Sequence, residues 1–321
     1  MPTSPSIVTV TFNPAIDHTV FVERLTPGTV HRATRSHRQA GGKGVNVATM
    51  LALGGAKVAV SGFLGEDNPG IFEKHFRAHG LRDDFIRISG ETRTGIKIVD
   101  TSATDTTDLN LPGAEPTPAQ CERLTATLLK HARTGVWFVL AGSLPAGVST
   151  DTLAKLIRAL RQTGAKVAVD SSGPALAAAV EAGIDLAKPN VHELAELLGR
   201  PLPDFQTTLA AARELRRDKI PNLVVSLGDE GALFLTPETE LMAGAPPVKV
   251  VSTVGAGDSL LAGFLHGLTT GESPVDCARR ATVYAWSRLE SLVSALPAPA
   301  ILAERLAAVR VQPLTAFKST P

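Results

Sequence analysis

The sequence predicts an α/β fold in which one mostly parallel sheet is covered by helices on both faces. Short runs rich in β-branched residues alternate with segments in which apolar residues recur every three or four positions, the spacing of one helix face. The runs are almost continuously apolar, as is typical of parallel strands buried on both sides. With 321 residues, 44% of them hydrophobic, the chain can build a large core. We therefore expect one domain over residues 1–321.

Five strands of the sheet are predicted from their composition and from the turn residues that bound them. They are IVTVTF (7–12), KVAVSGF (57–63), VWFVLAG (136–142), KVAVD (166–170) and NLVVSLG (222–228).

Helices are predicted between these strands, with glycine or proline at their ends. They are 44–54, which stops at two glycines, 117–131, which follows two prolines, and 150–162, which precedes Gly164. A further helix follows Asp258, because leucine and phenylalanine recur there at intervals of three and four.

Two stretches, 17–38 and 93–111, interrupt this alternation. Polar and apolar residues alternate in both, with turn signals at Pro27-Gly28 and around 103–105, which indicates two hairpins with one exposed face each. Together they can form a small separate sheet. Such a sheet covers either a ligand cleft or a partner subunit.

The composition excludes several functional classes. Lysine and arginine number 32 against 31 acidic residues, a net charge of +1, so no broad basic field favours nucleic acid or an anionic membrane. Cys121 and Cys277 lie outside any zinc-site or redox spacing and favour a reducing compartment. No run approaches the ~18 apolar residues of a membrane span, and no signal peptide is evident. We expect a cytoplasmic protein.

The stretch STVGAGDS (252–259) predicts a site for an anion beside a carboxylate. Glycines before a helix leave backbone N–H groups pointing outward at the positive end of the helix dipole. Asp258 in that position can remove a proton from an attacking hydroxyl while the N–H groups stabilise the transferred group. The alternative is that Asp258 only complements the dipole.

A second glycine-rich stretch, AGGKGVN (40–46), precedes another predicted helix. Gly42 and its neighbours allow a close approach of the backbone to a ligand, Lys43 adds a cation, and Asn46 can bind a ligand hydroxyl. The spacing is not that of a Walker A loop. A glycine-rich turn with a solvated lysine is the alternative.

A third stretch, KPNVHEL (188–194), allows two interpretations that are compatible with each other. Asn190 and Glu193 have the spacing of a helix capping box. Glu193 can also accept hydrogen bonds from water bound to Mg²⁺, which is commonly held through few carboxylates and substrate phosphates.

Three more polar residues are placed near the carboxyl ends of the predicted strands, where open α/β sheets bind ligands. They are Asp17, Arg93 and Ser143. Each alone is more often a solvated charge or a turn serine, so their joint placement is the evidence.

Seven motifs then stand in a recognisable order over almost the whole chain: TFNPAID, GGKGVNVA, AGSLPAGV, VDSSGPAL, KPNVHEL, VVSLGDEGAL and STVGAGDS. In this order they resemble the ribokinase-like (PfkB-type) sugar kinases, most closely the branch of 1-phosphofructokinases and tagatose-6-phosphate kinases. The resemblance implies a three-layer α/β/α sandwich with a β-sheet lid over about 14–38 and 92–112. It also implies a homodimer through that lid.

The resemblance further implies a role for each matching residue. Asp258 would be the base, and the anion hole would be formed by Gly255, Ala256 and Gly257. Sugar phosphate would be bound by Asp17, Gly42, Lys43, Asn46, Arg93 and Ser143. The nucleotide, ATP, would contact Lys188, Asn190, Ser226, Gly228, Gly231, Thr253, Gly255 and Gly257, with Mg²⁺ held by Glu193 through water.

The implied reaction is ATP-dependent phosphorylation of D-fructose 1-phosphate. The cations Lys43 and Arg93 favour a substrate that already carries a phosphate. Tagatose 6-phosphate and fructose 6-phosphate are alternative substrates, and a sugar-phosphate sensor without turnover is an alternative of another class.

Two features depart from the family pattern. A helix expected to carry small residues near the adenine contains Tyr284, Trp286 and Arg288, which either alter base binding, for example by stacking, or face the core. Gly95 stands in the second hairpin where a bulkier polar residue is usual, which leaves the lid contact open.

Overall fold

The computed structural model describes residues 5–103 and 105–314. The strands are β1 (Ile7–Thr11), β2 (Ala15–Val22), β3 (Arg35–Gly41), β4 (Val58–Gly65), β5 (Arg82–Asp83), β6 (Ile86–Ile88), β7 (Thr94–Asp100), β8 (Thr106–Asn110), β9 (Trp137–Ala141), β10 (Lys166–Asp170), β11 (Leu186–Ala187), β12 (Asn222–Ser226), β13 (Ala232–Leu235), β14 (Glu240–Gly244) and β15 (Arg310–Pro313). The helices are α1 (Lys43–Leu53), α2 (Gly70–Ala78), α3 (Pro118–Leu129), α4 (Thr150–Gln162), α5 (Gly173–Ala182), α6 (Val191–Leu198), α7 (Phe205–Asp218), α8 (Ala256–Thr270), α9 (Pro274–Leu289) and α10 (Pro299–Ala308).

The central sheet has the strand order β15-β14-β13-β12-β11-β10-β9-β1-β4-β5, with β6 also paired to β4. Strands β5 to β12 in this order are parallel to their neighbours, as the sequence predicts. The last three strands, β13, β14 and β15, extend the sheet with antiparallel pairs. This extension was not predicted, because β13, β14 and β15 are only four or five residues long and short antiparallel segments depend on neighbours supplied by the fold.

Helices cover both faces of the sheet and enclose two apolar clusters. One cluster joins one face of the strands to α3, α4, α5, α6 and α7. The other joins the opposite face to α1, α2, α8 and α9. Neighbouring residues of β1 illustrate the division, because Ile7 belongs to the second cluster and Val8 to the first, as the alternation of side chains along a strand requires. The predicted three-layer α/β/α arrangement is confirmed.

A separate four-stranded sheet, which we call the lid, has the order β3-β2-β7-β8. Both predicted hairpins are present as antiparallel pairs, and they are joined by a parallel pairing of β2 with β7. The first hairpin extends to Gly41, three residues beyond the predicted 38, because Ala15 pairs with Gly41. Its loop is also longer than a tight turn at Pro27-Gly28, since β2 ends at Val22 and β3 begins at Arg35. The second predicted turn includes residue 104, which lies outside the described residues.

Among the described helices, none is long and apolar enough to cross a membrane. The helices α3, α6 and α7 begin with capping boxes, which satisfy backbone donors at their first turns. Helix α8 is different, because its N-cap is Gly255 in a left-handed conformation (φ 80°), without a side-chain cap. Its first turn therefore leaves backbone N–H groups for another partner.

Candidate active site

A cleft of about 630 Å³ lies between the carboxyl ends of the central strands and the lid. Most of the predicted site residues line it together: Asp17, Gly42, Lys43, Asn46, Arg93, Ser143, Lys188, Asn190, Glu193, Ser226, Gly255, Gly257 and Asp258. They come from segments as far apart as residues 17 and 258, so the fold assembles the site from both halves of the chain. This is the edge at which ligands bind in open α/β sheets.

Asp258 lies in the first turn of α8 and is only 6% exposed. Its Oδ2 accepts a hydrogen bond of 2.8 Å from the Asn46 side-chain amide. Burial, and next the charge of Asp170, raise the pKa of Asp258 to about 6. A carboxylate with this pKa is mostly ionised at neutral pH and is a stronger proton acceptor than an ordinary aspartate.

The glycine loop before Asp258 lies close to a lysine. A β-carbon at Gly257 would lie 3.2 Å from Nζ of Lys188, so the ammonium lies close to the loop. The N–H of Ala256 donates to the carbonyl of Thr253 at 3.2 Å, and neither Ala256 nor Thr253 lines the cleft. The anion hole expected from Gly255, Ala256 and Gly257 therefore does not include a free N–H of Ala256.

A buried carboxylate between two lysines lies beneath the cleft. Asp170 is fully buried, with Oδ1 2.9 Å from Nζ of Lys43 and Oδ2 3.3 Å from Nζ of Lys188. Burial would raise the pKa of Asp170, but the charges of Lys188 and Lys43 hold it below its usual value, so it stays ionised. Asp170 was not predicted as a site residue. The sequence feature that could have indicated it is the single aspartate at the end of the apolar run KVAVD.

Arg93 is held by amides rather than by a carboxylate. Its Nε donates to Asn13 Oδ1 at 3.0 Å and its Nη1 to Asn110 Oδ1 at 3.2 Å. The Asn13 amide also donates to Ser143 Oγ at 3.2 Å. Burial lowers the pKa of Arg93, with the charge of Asp17 opposing this effect. Arg93 lines the cleft, and no Asp or Glu of the described chain forms an ion pair with it, so its charge is available to an anion there. Asn13 and Asn110 were not predicted.

Asp17 lies on lid strand β2 and lines the cleft, with its carboxylate packed against Gly41. A β-carbon at Gly41 would lie 2.2 Å from Asp17 Oδ2, so only glycine fits there without displacing the carboxylate. Burial raises the pKa of Asp17, while Arg93 and then Lys97 lower it.

Comparisons with known proteins identify the family of this chain. A family model described as pfkB family carbohydrate kinase matches residues 10–300. The chain belongs to this family. It is 43% identical over 304 residues to a 1-phosphofructokinase of Rhodobacter capsulatus, covering 94% of this chain and 95% of that protein. It is 44% identical over 289 residues to a 1-phosphofructokinase of Xanthomonas campestris, covering 88% of this chain and 91% of that protein.

Solved structures of kinases share the fold. The crystal structure of phosphofructokinase-2 from Escherichia coli in complex with fructose-6-phosphate superposes with a TM-score of 0.87 at 28% identity, covering 94% of this chain and 98% of that one. A further structure of that protein is described as its tetrameric inhibited form, with the same TM-score and identity. The ribokinase-like fold expected from the motifs is therefore confirmed.

In this PfkB kinase, Glu193 and Asn190 form the predicted capping box. Glu193 Oε2 accepts from the Asn190 backbone N–H at 2.9 Å, and Asn190 Oδ1 accepts from the Glu193 N–H at 2.8 Å. The second carboxylate oxygen, Oε1, lies 3.9 Å from Nζ of Lys43. Within the described chain, no group of three or more His, Cys, Asp or Glu side chains could hold a metal ion. The role of Glu193 toward Mg²⁺ stays a prediction.

Two other residues predicted to contact the nucleotide do not line the cleft of this kinase. Gly228 begins a single 3₁₀ turn after β12 and Gly231 follows it, and the N–H of Leu227 donates to the carbonyl of Gly231 at 2.8 Å. They shape the loop that follows Ser226, which does line the cleft.

The two departures from the family pattern have structural explanations. Tyr284 is fully buried and shares a hydrogen bond of 2.7 Å with His266 Nδ1, so it faces the core and cannot stack on a base. Trp286 is partly buried, and the Arg305 guanidinium lies 4.6 Å from its ring centroid. At Gly95, a β-carbon would lie at ordinary contact distances of 3.5 Å from Asn110 Oδ1 and 3.8 Å from Asp17 Oδ1. A larger residue there would project between these two groups.

Proposed function

We propose that this chain is a 1-phosphofructokinase, which transfers the γ-phosphoryl group of ATP to the 6-hydroxyl of D-fructose 1-phosphate. Relatives with that name are 38–45% identical over most of the chain. The observation that carries the proposal is the placement of a buried carboxylate, Asp258, in one cleft with Arg93, which forms no ion pair with a carboxylate of the described residues. A phosphosugar kinase needs both a base and a cation for the substrate phosphate.

The proposed mechanism begins with the sugar phosphate between the lid and the strand ends. Arg93 binds its phosphate, with Asn13 and Asn110 fixing the guanidinium plane, since a fixed guanidinium suits phosphate recognition. Asp17 and Asn46 bind sugar hydroxyls. The acceptor hydroxyl then lies against Asp258, which takes its proton as the hydroxyl oxygen attacks the γ-phosphorus.

Charge on the transferred group is stabilised by the glycine loop and a lysine. The groups that we assign to this role are the backbone N–H groups of the first turn of α8, which has no side-chain cap, and the ammonium of Lys188, which lies close to Gly257. Positioning and charge stabilisation of this kind account for most of the catalysis in phosphoryl transfer. Asp170 keeps Lys43 and Lys188 fixed and prevents both lysines from pairing with the base.

We further propose Mg²⁺ as the divalent ion of the reaction. A single carboxylate, Glu193, whose Oε1 is not used by the capping box, fits an ion that keeps most of its water ligands and binds mainly to phosphates. Bound there, Mg²⁺ would neutralise charge on the ATP phosphates.

A second candidate substrate is fructose 6-phosphate, favoured by the similarity to phosphofructokinase-2 of Escherichia coli in complex with that sugar. Tagatose 6-phosphate presents similar groups. A sensor without turnover is disfavoured, because burying the Asp258 carboxylate destabilises the fold and sugar binding alone does not require it.

The test is a substrate panel. ADP release is measured with Mg-ATP and, separately, fructose 1-phosphate, fructose 6-phosphate, tagatose 6-phosphate and fructose. We expect kcat/KM for fructose 1-phosphate to exceed the others at least about tenfold, equivalent to ~1.4 kcal/mol. Preference for another phosphosugar would contradict the proposed substrate, and binding without turnover of any sugar would support a sensor.

We also propose that the chain is a single kinase domain and that it is located in the cytoplasm. We further propose that it forms a homodimer through the lid. Leu109 and Leu111 are 48% and 45% exposed at the end of β8, and apolar side chains at a sheet edge favour association. Sedimentation of the wild type and of a Leu109→Asp variant tests this. A dimer that the substitution dissociates is the expected result, and a wild-type monomer would contradict it.

A further inference from the structure

Arg288 is a buried cation that the proposed mechanism does not use. It lies in the last turn of α9 and is 5% exposed. Other partly buried arginines of the described chain, such as Arg87, Arg280 and Arg305, pair with carboxylates, whereas Arg288 has no Asp or Glu within ion-pair distance. A buried charge without a partner is costly, so its retention requires another interaction.

The guanidinium of Arg288 lies directly behind the glycine loop. A β-carbon at Gly255 would lie 3.1 Å from Nε of Arg288, and Nη1 donates to the carbonyl of Ser291. The same end of α9 also holds the segment that leads into the loop, because the N–H groups of Val251 and Ser252 donate to the Leu289 carbonyl at 2.7 and 3.1 Å. Arg288 is therefore enclosed between the segment 251–255 and the turn 288–291.

The opposite charges that act on Arg288, those of Asp258 and Asp17, belong to residues that line the cleft. Burial lowers the pKa of Arg288, and the charges of Asp258 and then Asp17 oppose this effect. Because electrostatic attraction is mutual, the same cation favours the ionised form of Asp258, as a smaller effect than those of Asp170, Lys43 and Lys188. The other charged groups that face Asp258 are Asp170, Lys43 and Lys188, and Glu193 faces Lys43.

We propose that Arg288 is a positioning residue for phosphoryl transfer, which fixes the glycine loop and places a positive charge behind it. The inference rests on the proposed function, because it assigns a role within the same reaction. Arg288 does not line the cleft, so it acts through Gly255 and Asp258 rather than by touching the substrate. This role also explains why a helix expected to carry small residues contains an arginine at this position.

Two substitutions separate the charge from the hydrogen bond. Arg288→Gln keeps a donor for the Ser291 carbonyl and removes the charge, whereas Arg288→Lys keeps the charge. We expect Arg288→Gln to lower kcat about tenfold, less than the loss of a donor that touches the transition state, with KM for fructose 1-phosphate changed less than about threefold. Arg279→Gln on the outer part of α9, where Arg279 pairs with Asp276, is the control and should leave kcat unchanged.

The distinguishing readout is the protonation of Asp258. Loss of a facing cation raises the pKa of a carboxyl, so Arg288→Gln should move the acidic limb of the kcat/KM profile upward by about half a pH unit, and Arg288→Lys should leave it in place. A fall in kcat with an unmoved limb, or an equal shift in both variants, would overturn the proposal.

A measurement without turnover separates this proposal from the proposed function. The Asp258 carboxyl is titrated by ¹³C NMR of aspartate-labelled protein, with Asp258→Asn identifying its signal. An upward shift in Arg288→Gln supports the role of Arg288 even where no sugar is phosphorylated, and an unchanged titration overturns it even where fructose 1-phosphate is an excellent substrate. Where Arg288→Gln does not fold, Arg288→Met is titrated in its place with the same two outcomes.

Discussion

The side-chain amide of Asn46 donates a 2.8 Å hydrogen bond to Asp258, although the two residues are 212 positions apart in the chain. Each lies in the first turn of a helix that follows a glycine-rich loop, α1 and α8. The bond therefore joins the two glycine loops of the site. It also fixes the carboxylate that we propose as the base, which gives a direct way to test the electrostatics of the cleft.

Removing this hydrogen bond should make Asp258 harder to ionise. Burial and Asp170 raise the pKa of Asp258 to about 6, and the Asn46 hydrogen bond opposes them. The wild type should therefore lose kcat/KM as pH falls below about 6, and Asn46→Ala should lose it at a higher pH. The pH profile with fructose 1-phosphate measures both. If the acidic limb of the kcat/KM profile moved to lower pH in Asn46→Ala, the assignment of this limb to Asp258 would be contradicted.

Removing the negative charge of Asp170 should make Asp258 easier to ionise, which is the opposite of the effect of Asn46→Ala. It should also lower the free energy of unfolding. Asp170→Asn leaves Lys188, whose side chain is 5% exposed, without an ion-pair partner, and we expect a loss of about 3 kcal/mol in the free energy of unfolding. The acidic limb should move to lower pH, since Asp170 raises the pKa of Asp258. Denaturant unfolding and the pH profile check the two effects. Asp151→Asn, in an exposed pair with Lys155, is the control and should change neither.

Replacing Arg93 should raise KM for the sugar phosphate more than KM for the nucleotide. Because its guanidinium is held by Asn13 and Asn110 and has no carboxylate partner, Arg93→Met should raise KM for fructose 1-phosphate about tenfold or more, with KM for ATP much less affected. Steady-state kinetics with each substrate varied in turn provide the measurement. Arg87→Met is a matched control, since Arg87 pairs with Asp83 and Glu73. Equal increases in both KM values for Arg93→Met would count against a phosphate role.

Gly41 should be required for the position of Asp17. The β-carbon of Gly41→Ala would lie 2.2 Å from Asp17 Oδ2, so the carboxylate must move, and we expect Kd for the sugar to rise severalfold. In Gly70→Ala the β-carbon would meet nothing within 4 Å, and that variant should behave as the wild type. Isothermal titration with fructose 1-phosphate compares them. Wild-type affinity in Gly41→Ala would show that Asp17 does not bind the sugar.

Much of this site was predictable because its chemistry is concentrated in short motifs. The strand ends and glycine loops of a parallel sheet must meet at one edge, so Asp258, Asn46, Lys43 and Arg93 could be placed together from the sequence. The strands β13 to β15 could not be predicted, because short antiparallel segments depend on neighbours supplied by the fold.

Other site features depend on packing that no local pattern encodes. Asp170 ends an ordinary buried strand, and only the approach of Lys43 and Lys188 from two other segments makes it part of the site. Asn13 and Asn110 likewise become significant only when the lid brings them to Arg93. Ala256 was assigned to the anion hole by its motif, but the turn at Thr253 occupies its N–H.

The most direct test of the account is the initial rate of ADP release by Asp258→Asn with saturating Mg-ATP and fructose 1-phosphate. Asparagine fills the same space and cannot accept the hydroxyl proton, so kcat should fall at least about 100-fold, while KM for the sugar changes little and Tm does not fall, because a buried carboxylate has been replaced by a neutral group. Retention of near wild-type turnover by Asp258→Asn would contradict the account.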